Sequence, residues 1–157
     1  MIKVLFVCLG NICRSPMVEF IFKDMINKKG LSKDFIIKSA ATSFEEIGND
    51  IHYGAKDKLI QKNIPFTKRK ATRITLEDYK RYDFIIGMEE SNIRNIKRIV
   101  GEDVDKKING IYLINTSLIN FPPPSTPISV PNNNISKNII DLLKSRFIFA
   151  ILSSVSS

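Results

Sequence analysis

A cysteine and an arginine stand close together near the start of the chain, with five residues between Cys8 and Arg14. A cysteine thiolate is a strong nucleophile. An arginine guanidinium offers a planar pair of donors that two phosphoryl oxygens can accept at once, which a lysine cannot match. Side chains of these two types at this spacing can therefore attack a phosphate ester and hold its phosphoryl group.

The residues around this pair have the composition of a tight loop that opens a helix. Gly10 relaxes the backbone at the sharpest part of the turn, and Pro16 suits the first helical position, where its missing N–H costs nothing. Such a loop points N–H groups into one concavity, beside the positive end of the helix dipole. We predict a phosphate-binding loop that contains Cys8, Leu9, Gly10, Asn11, Ile12, Cys13, Arg14 and Ser15.

The field of this loop should make Cys8 ionise more readily than a free cysteine. Ser15 can donate a hydrogen bond to the thiolate, and Asn11 can tie the loop to itself. The competing interpretation is a buried structural cysteine with Arg14 as an ordinary surface charge. The agreement of spacing, glycine and Ser-Pro with a strand-to-helix position favours the functional interpretation.

Strand and helix patterns alternate along the chain. The predicted strands are Ile2–Val7, Asp34–Ala41, Asp83–Met88 and Ile108–Asn115, and the predicted helices are about Pro16–Lys28, Gly54–Asn63, Thr75–Tyr82, Ser91–Val100 and Ser136–Leu152. This alternation predicts an α/β fold with a parallel sheet and right-handed crossovers. At 157 residues, we expect one domain over residues 1–157.

The composition favours anionic partners, because the net charge is +8 at pH 7. Short basic clusters such as Lys68-Arg69-Lys70 lack interleaved aromatic residues, so we predict solvated faces and no nucleic-acid partner. No apolar run reaches the length of a membrane span, so no membrane partner is expected. The only cysteines, Cys8 and Cys13, lie in one loop, which predicts a reducing cytoplasm and makes Cys13 a candidate redox partner of Cys8.

The loop and several later stretches resemble the low-molecular-weight protein tyrosine phosphatase family over residues 1 to about 115. The supporting stretches are Ser39–Ser43, Glu46–Asn49, Ile74–Tyr79 and Tyr82–Asn92. The resemblance implies a three-layer α/β/α fold of the flavodoxin-like, doubly wound type with a four-stranded parallel sheet. It also implies that Cys8 forms a phosphocysteine intermediate, that Arg14 clamps the phosphoryl group, and that no metal or other cofactor takes part. The expected partners are a phosphorylated protein or aryl phosphate as substrate, and inorganic phosphate or another oxyanion in the loop.

The sequence departs from the family pattern at several positions. Glu45, with Phe44 beside it, stands where the family carries an aromatic wall for the substrate ring. Arg69 and Glu89 stand where the family has a histidine and an aspartate, and we predict that they pair to support the loop. His52, the only histidine, is predicted to be a surface residue without an acid–base role.

The general acid of the family is missing from the sequence pattern. The family carries an Asp-Pro-aromatic motif after the fourth strand, whereas Asn120–Pro127 has no carboxylate. Asp141 is the only acidic residue after Asp105, and nothing in the sequence assigns it this role, so the general acid is unknown. Two interpretations of residues 116–157 stay open, namely true divergence or a shift of the coding frame.

Several functions are compatible with these residues. The first is a phosphotyrosine-protein phosphatase with a cysteine nucleophile, impaired by loss of the general acid. The alternatives are a phosphate-binding pseudophosphatase and a protein-arginine phosphatase, although that branch has threonine where this chain has Ile12. An arsenate reductase would need further cysteines for its thiol relay, and none follows Cys13.

Overall fold

The computed structural model describes residues 1–110, which belong to one compact unit. Its strands are β1 (Ile2–Cys8), β2 (Phe35–Ala41), β3 (Phe84–Gly87) and β4 (Ile108–Gly110). They form one parallel sheet in the order β2-β1-β3-β4, in which Cys8 is level with Ala41 of β2 and Val7 with Gly87 of β3. This order confirms the predicted doubly wound α/β fold.

Strand β1 is the centre of the core, since Val4–Cys8 are buried without interruption. On one face, Leu5 and Val7 belong to a cluster with Tyr79 and Ile96 from the two helices that flank β3. On the other face, the ring of Phe6 packs edge-on against Phe22 of the first helix, with the centroids 5.8 Å apart. Burial on both faces explains the continuous apolar run in the sequence.

The helices are α1 (Arg14–Lys28), α2 (Tyr53–Gln61), α3 (Leu76–Arg81) and α4 (Glu90–Val100), and Ser32–Asp34 form a short 3₁₀ helix. The predicted capping box of α3 is confirmed, with Thr75 and Asp78 bonded reciprocally. Helix α1 begins two residues earlier than predicted. Pro16 therefore lies within the first turn rather than at its first position. Backbone N–H groups of the first turn have no intrahelical acceptor, so the missing N–H of proline costs no helical hydrogen bond.

His52 caps the N-terminus of α2, because its Nδ1 accepts a hydrogen bond of 3.2 Å from the N–H of Gly54. This histidine is exposed, as predicted, and it also has a local structural role. Within residues 1–110, no helix is long and apolar enough to cross a membrane. The predictions for Asn120–Pro127, Asp141, the helix Ser136–Leu152 and the segment 116–157 lie outside the described residues.

Candidate active site

The predicted loop lies where β1 ends and α1 begins, at the carboxyl edge of the sheet. In the strand order, β1 stands between β2 and β3, so the chain passes from β1 to β2 on one side and then from β2 to β3 on the other. The ends of such strands form the crevice in which open α/β sheets bind ligands. The fold therefore places Cys8 and Arg14 at the expected binding edge.

The carbonyl groups of this loop are bonded to donors outside it. Thr42 N–H donates to the carbonyl oxygens of Cys8 (2.9 Å) and Leu9 (3.0 Å), and His52 N–H donates to that of Ile12 (2.8 Å). By contrast, the N–H groups of Gly10, Ile12, Cys13 and Arg14 have no hydrogen-bond partner among the described residues. These four donors are therefore free to bind an anion.

The thiol of Cys8 lies at the base of this loop and is only 3% exposed. Its Sγ accepts a hydrogen bond of 3.2 Å from the Asn11 N–H, and it lies 3.0 Å from Ser15 Oγ. When the sulfur is a thiolate, the Ser15 hydroxyl can only be the donor of this second bond. The geometry thus provides two hydrogen bonds for a sulfur anion.

Asn11 is the residue that fixes the shape of the loop. It is fully buried, and its φ of 58° lies in the left-handed region that asparagine tolerates. Its Nδ2 donates to Ser15 Oγ (2.8 Å) and Ser39 Oγ (2.9 Å), and its Oδ1 accepts from Thr72 N–H (3.3 Å). The sharpest backbone turn is therefore at Asn11, and the prediction that Gly10 relaxes it was wrong.

Gly10 instead makes room for a neighbouring side chain. A Cβ atom at this position would lie 3.1 Å from Cγ of Glu46, which is closer than most real Cβ contacts. The absence of a side chain at Gly10 therefore allows the loop that follows β2 to approach the phosphate loop.

Arg69 supports the phosphate loop through hydrogen bonds to Asn11 and not through the predicted partner, Glu89. Its Nη1 donates to the Asn11 carbonyl (2.8 Å), and its Nη2 donates to Asn11 Oδ1 and to the Ser39 carbonyl (3.4 Å). Its Nε lies 3.9 Å from the buried carboxylate of Glu19. The predicted Arg69–Glu89 pair is wrong, because Arg69 is held among Asn11, Ser39 and Glu19.

Glu89 contacts Arg14 instead. Its carboxylate lies 2.8 Å from Arg14 Nη1, and it accepts further hydrogen bonds from Ser91 Oγ (2.8 Å) and Asn92 Nδ2 (3.3 Å). The Arg14 guanidinium lowers the pKa of Glu89 below its ordinary value. Glu89 therefore stays ionised at neutral pH and orients the guanidinium at the loop.

Comparison with known proteins agrees with this geometry. A family model described as low molecular weight phosphotyrosine protein phosphatase matches residues 3–116. The chain belongs to this family. Its fold and the position of its loop are those that the resemblance in the sequence implies.

Two curated members of the phosphatase family illustrate the extent of the likeness. Low molecular weight protein-tyrosine-phosphatase YfkJ from Bacillus subtilis is 38% identical over 126 residues, which cover 79% of this chain and 81% of that protein. The human low molecular weight phosphotyrosine protein phosphatase is 43% identical over 96 residues, which cover 61% of this chain and 60% of the human protein. The chain thus spans less than two thirds of the human relative.

Solved structures of the family superpose on the chain. The crystal structure of YfkJ matches with a TM-score of 0.71 and 32% identity over 98% of this chain and 93% of that one. The structure of a Drosophila arginine phosphatase matches with a TM-score of 0.63 and 29% identity over 69% of each chain. The same scaffold is therefore found in proteins whose names state different substrates.

Two residues of the candidate site, Glu19 and Ser39, lie outside the loop that the sequence pattern indicates. Glu19 is 3% exposed although it is a carboxylate within α1, and Ser39 Oγ donates a hydrogen bond to it. Ser39 Oγ also accepts from Asn11 Nδ2, so the two residues continue the network that begins at Cys8. A charged residue in the apolar part of a helix was the available sequence signal, since carboxylates are rarely buried without partners.

Removing the Arg69 side chain should destabilise the phosphatase fold and disorder its loop. The guanidinium is mostly buried, and Arg69→Ala removes the donor to the Asn11 carbonyl and the positive charge beside Glu19, so we expect a loss on the order of 3 kcal/mol in the free energy of unfolding. Urea unfolding measures this loss. The neighbouring Lys70→Ala is the control, because that side chain is exposed and should change stability by less than about 0.5 kcal/mol. Equal stability of the two variants would contradict the role assigned to Arg69.

Cys13 differs from Cys8 in its surroundings. It is half-buried at the N-cap of α1, and both cysteines are free thiols. Burial raises the pKa of Cys13, and the neighbouring Cys8 adds to this effect. Cys13 is therefore a protonated thiol at neutral pH.

The rim of the phosphatase loop carries exposed apolar side chains. They are Leu9, Phe44, Ile47 and Tyr53, and each is more than 40% exposed. Phe44 is the aromatic residue in the segment where the family has its wall, and the guanidinium of Arg73 stacks over its ring at 4.1 Å. Glu45, the position matched by sequence, is also exposed and offers no aromatic surface.

Within residues 1–110, no group of three or more histidine, cysteine or acidic side chains is arranged to hold a metal ion.

Asp50 gives the loop region an acid-dependent stability. Hydrogen bonds from Lys56 Nζ and from the N–H groups of Ile51 and Arg69 lower the pKa of Asp50 from 3.8 to about 2. Because the folded-state pKa lies below the unfolded one, this stabilisation is fully present above about pH 4 and is lost as the pH falls toward 2.

Asp50→Asn removes this titration. We therefore expect the variant to be less stable than the parent protein at pH 7, with the difference shrinking between pH 4 and pH 2. Thermal unfolding of both proteins at a series of pH values measures it. A stability difference that stays constant down to pH 2 would contradict the assignment.

Proposed function

We propose that the chain is a cysteine-dependent phosphomonoesterase that removes phosphate from protein phosphotyrosine through a phosphocysteine intermediate. The observation that carries this proposal is the position of Cys8 Sγ. It accepts a hydrogen bond of 3.2 Å from Asn11 N–H and lies next to Ser15 Oγ, in a loop whose N–H groups at Gly10, Ile12, Cys13 and Arg14 have no partner among residues 1–110. Membership of the phosphotyrosine protein phosphatase family supports the same activity.

The first chemical step is attack of the Cys8 thiolate on phosphorus. A sulfur–phosphorus bond forms, the bond between phosphorus and the ester oxygen breaks, and the leaving oxygen takes a proton from solvent water. The negative charge of the equatorial oxygens is stabilised by the N–H groups of the loop and by Arg14. Glu89 holds Arg14 in position for this role.

The second step is hydrolysis of the phosphocysteine. Water attacks phosphorus, inorganic phosphate is released, and Cys8 leaves as the thiolate. Ser15 and the N–H of Asn11 donate to this sulfur, so they stabilise it as a leaving group. No step requires a metal ion, and we expect turnover in the presence of a chelator.

The general acid decides which substrates are hydrolysed well. Asn120–Pro127 has no carboxylate, and no described residue is assigned to protonate the leaving oxygen. A general acid contributes about 10²–10⁴-fold in rate, so its loss should affect phosphotyrosine far more than an activated aryl ester. We therefore propose an enzyme that is impaired on its protein substrates.

Comparison of two substrates tests this proposal. We expect the purified chain to hydrolyse para-nitrophenyl phosphate and to hydrolyse a phosphotyrosine peptide more slowly by about 10²-fold or more. Comparable rates on both would show that an acid is present after all. Phosphate binding without turnover of either substrate would identify a pseudophosphatase and overturn the proposal.

Protein-arginine phosphatase is a second candidate, and the similar fold of the Drosophila arginine phosphatase favours it. In this chain Ile12 places an apolar side chain in the loop, which suits an aryl ester better than a guanidinium. Faster hydrolysis of phosphoarginine than of phosphotyrosine would reverse this ranking.

Cys13 is proposed as a redox partner of the nucleophile. An oxidant such as peroxide converts the Cys8 thiolate to a sulfenic acid, which condenses with the Cys13 thiol to a disulfide and releases water. A thiol reductant then restores both cysteines. Two free cysteines in one loop also suit a reducing compartment such as the cytoplasm.

A further inference from the structure

A second concavity of the chain has five positive side chains in its lining. We call it the lysine cavity, and it has a volume of about 360 Å³. Its positive residues are Lys23, Lys38, Lys68, Arg69 and Lys70, and its carboxylates are Glu19 and Asp78. A volume of this size lies within the range of small-molecule sites, which is roughly 300–1,000 Å³.

Both carboxylates of the lysine cavity already have partners. Glu19 is bonded to Lys23 and to Ser39 Oγ. Asp78 accepts hydrogen bonds of 2.9 Å from the N–H and the hydroxyl of Thr75 in the capping box of α3. They are therefore not available to neutralise the other lysines.

Lys38, Lys68 and Lys70 have no carboxylate within 4.0 Å among residues 1–110. All three are exposed, and they approach the cavity from two segments, β2 and the chain before α3. Three unpaired positive charges around one concavity repel one another and attract an anion. Ammonium groups act as point charges for phosphate oxygens.

We propose that the lysine cavity binds a compact anion with several phosphoryl groups, either free polyphosphate or a nucleoside triphosphate, and that this site is coupled to the catalytic loop. The coupling residue is Arg69. Its guanidinium lines the cavity and also donates two hydrogen bonds to Asn11, which positions Cys8. An anion beside Arg69 competes with Asn11 for the same donors and lowers turnover.

The binding test uses inorganic tripolyphosphate and protein whose Cys8 is blocked with iodoacetamide, so that the catalytic loop is closed to anions. Calorimetry should show saturable binding with one anion per chain. Lys68→Ala/Lys70→Ala should weaken binding on the order of tenfold. The matched control is Lys28→Ala/Lys29→Ala, which removes the same charge at an adjacent surface pair outside the cavity and should change binding less than about twofold.

Two results would overturn the site: no saturable binding to the blocked protein, or equal weakening by the two double variants. Adenosine triphosphate is the second probe. Tighter binding than tripolyphosphate identifies a nucleotide site, and equal binding identifies a site for the phosphates alone; both support the proposal.

The coupling test measures para-nitrophenyl phosphate hydrolysis with and without tripolyphosphate. Competition in the catalytic loop raises KM only, whereas binding in the lysine cavity lowers kcat at saturating substrate. The kcat decrease should disappear in Lys68→Ala/Lys70→Ala and remain in the control pair. An unchanged kcat in the parent protein would overturn the coupling. If the chain has no turnover at all, the proposed activity fails, and the calorimetry still decides whether the site exists.

Discussion

Replacing Cys8 with serine should abolish turnover, with a fall in kcat on the order of 10⁴-fold or more. A serine hydroxyl is not ionised at neutral pH, and no histidine or other base contacts this position among the described residues to activate it. The fold should persist, because the side chain is small and Ser15 and Asn11 can bond to a hydroxyl as well. Initial rates on para-nitrophenyl phosphate measure the effect. Inorganic phosphate should still bind, since the N–H groups and Arg14 remain.

The matched control is Cys13→Ser, five residues further along the same loop. Cys13 is a half-buried N-cap residue with a free thiol, and serine is a good N-cap. We expect its kcat to change less than about threefold, in contrast to the loss of a nucleophile. Loss of activity in Cys13→Ser with retained activity in Cys8→Ser would show that Cys13, and not Cys8, is the nucleophile.

Replacing Arg14 with lysine should lower kcat/KM by about 10²–10³-fold, although the positive charge is kept. A guanidinium can donate to two phosphoryl oxygens at once, whereas an ammonium acts as a single point charge. The contact with Glu89 can form with either side chain, so the fold and the local charge should stay similar. The variant therefore separates the effect of donating to two phosphoryl oxygens from the effect of the positive charge.

The control for this prediction is Arg94→Lys, on the exposed side of α4. It should leave kcat/KM unchanged within about twofold, because this side chain is exposed and surface substitutions of this kind have small effects. Steady-state kinetics of both variants on one substrate make the comparison. Arg14→Lys with the activity of the parent protein would show that the guanidinium does not clamp the phosphoryl group.

The sequence predicts the central part of the fold well because local patterns determine it. The apolar run of β1, the loop that follows it and the helical spacing of α1 are adjacent in the chain, and each has a recognisable pattern. Burial of β1 on both faces follows from its uninterrupted apolar residues. The position of Cys8 at the binding edge then follows from the parallel sheet alone.

The side-chain network around the loop could not be predicted in the same way. Arg69 contacts Asn11 from 58 residues away, and nothing local in the sequence distinguishes this partner from Glu89. Local sequence also does not show that Asn11, and not Gly10, takes the positive φ. The reason for a glycine at position 10 is also non-local, because a Cβ there would lie 3.1 Å from Cγ of Glu46, which belongs to another loop.

Alkylation of the two cysteines by iodoacetate at pH 6, followed by mass spectrometry, tests the central claim most directly. Cys8 should react with the reagent and inorganic phosphate should protect it, while Cys13, whose pKa burial raises, should stay largely unmodified. If Cys8 is spared at this pH, or if phosphate gives it no protection, then Cys8 is not a nucleophile in a phosphate-binding loop.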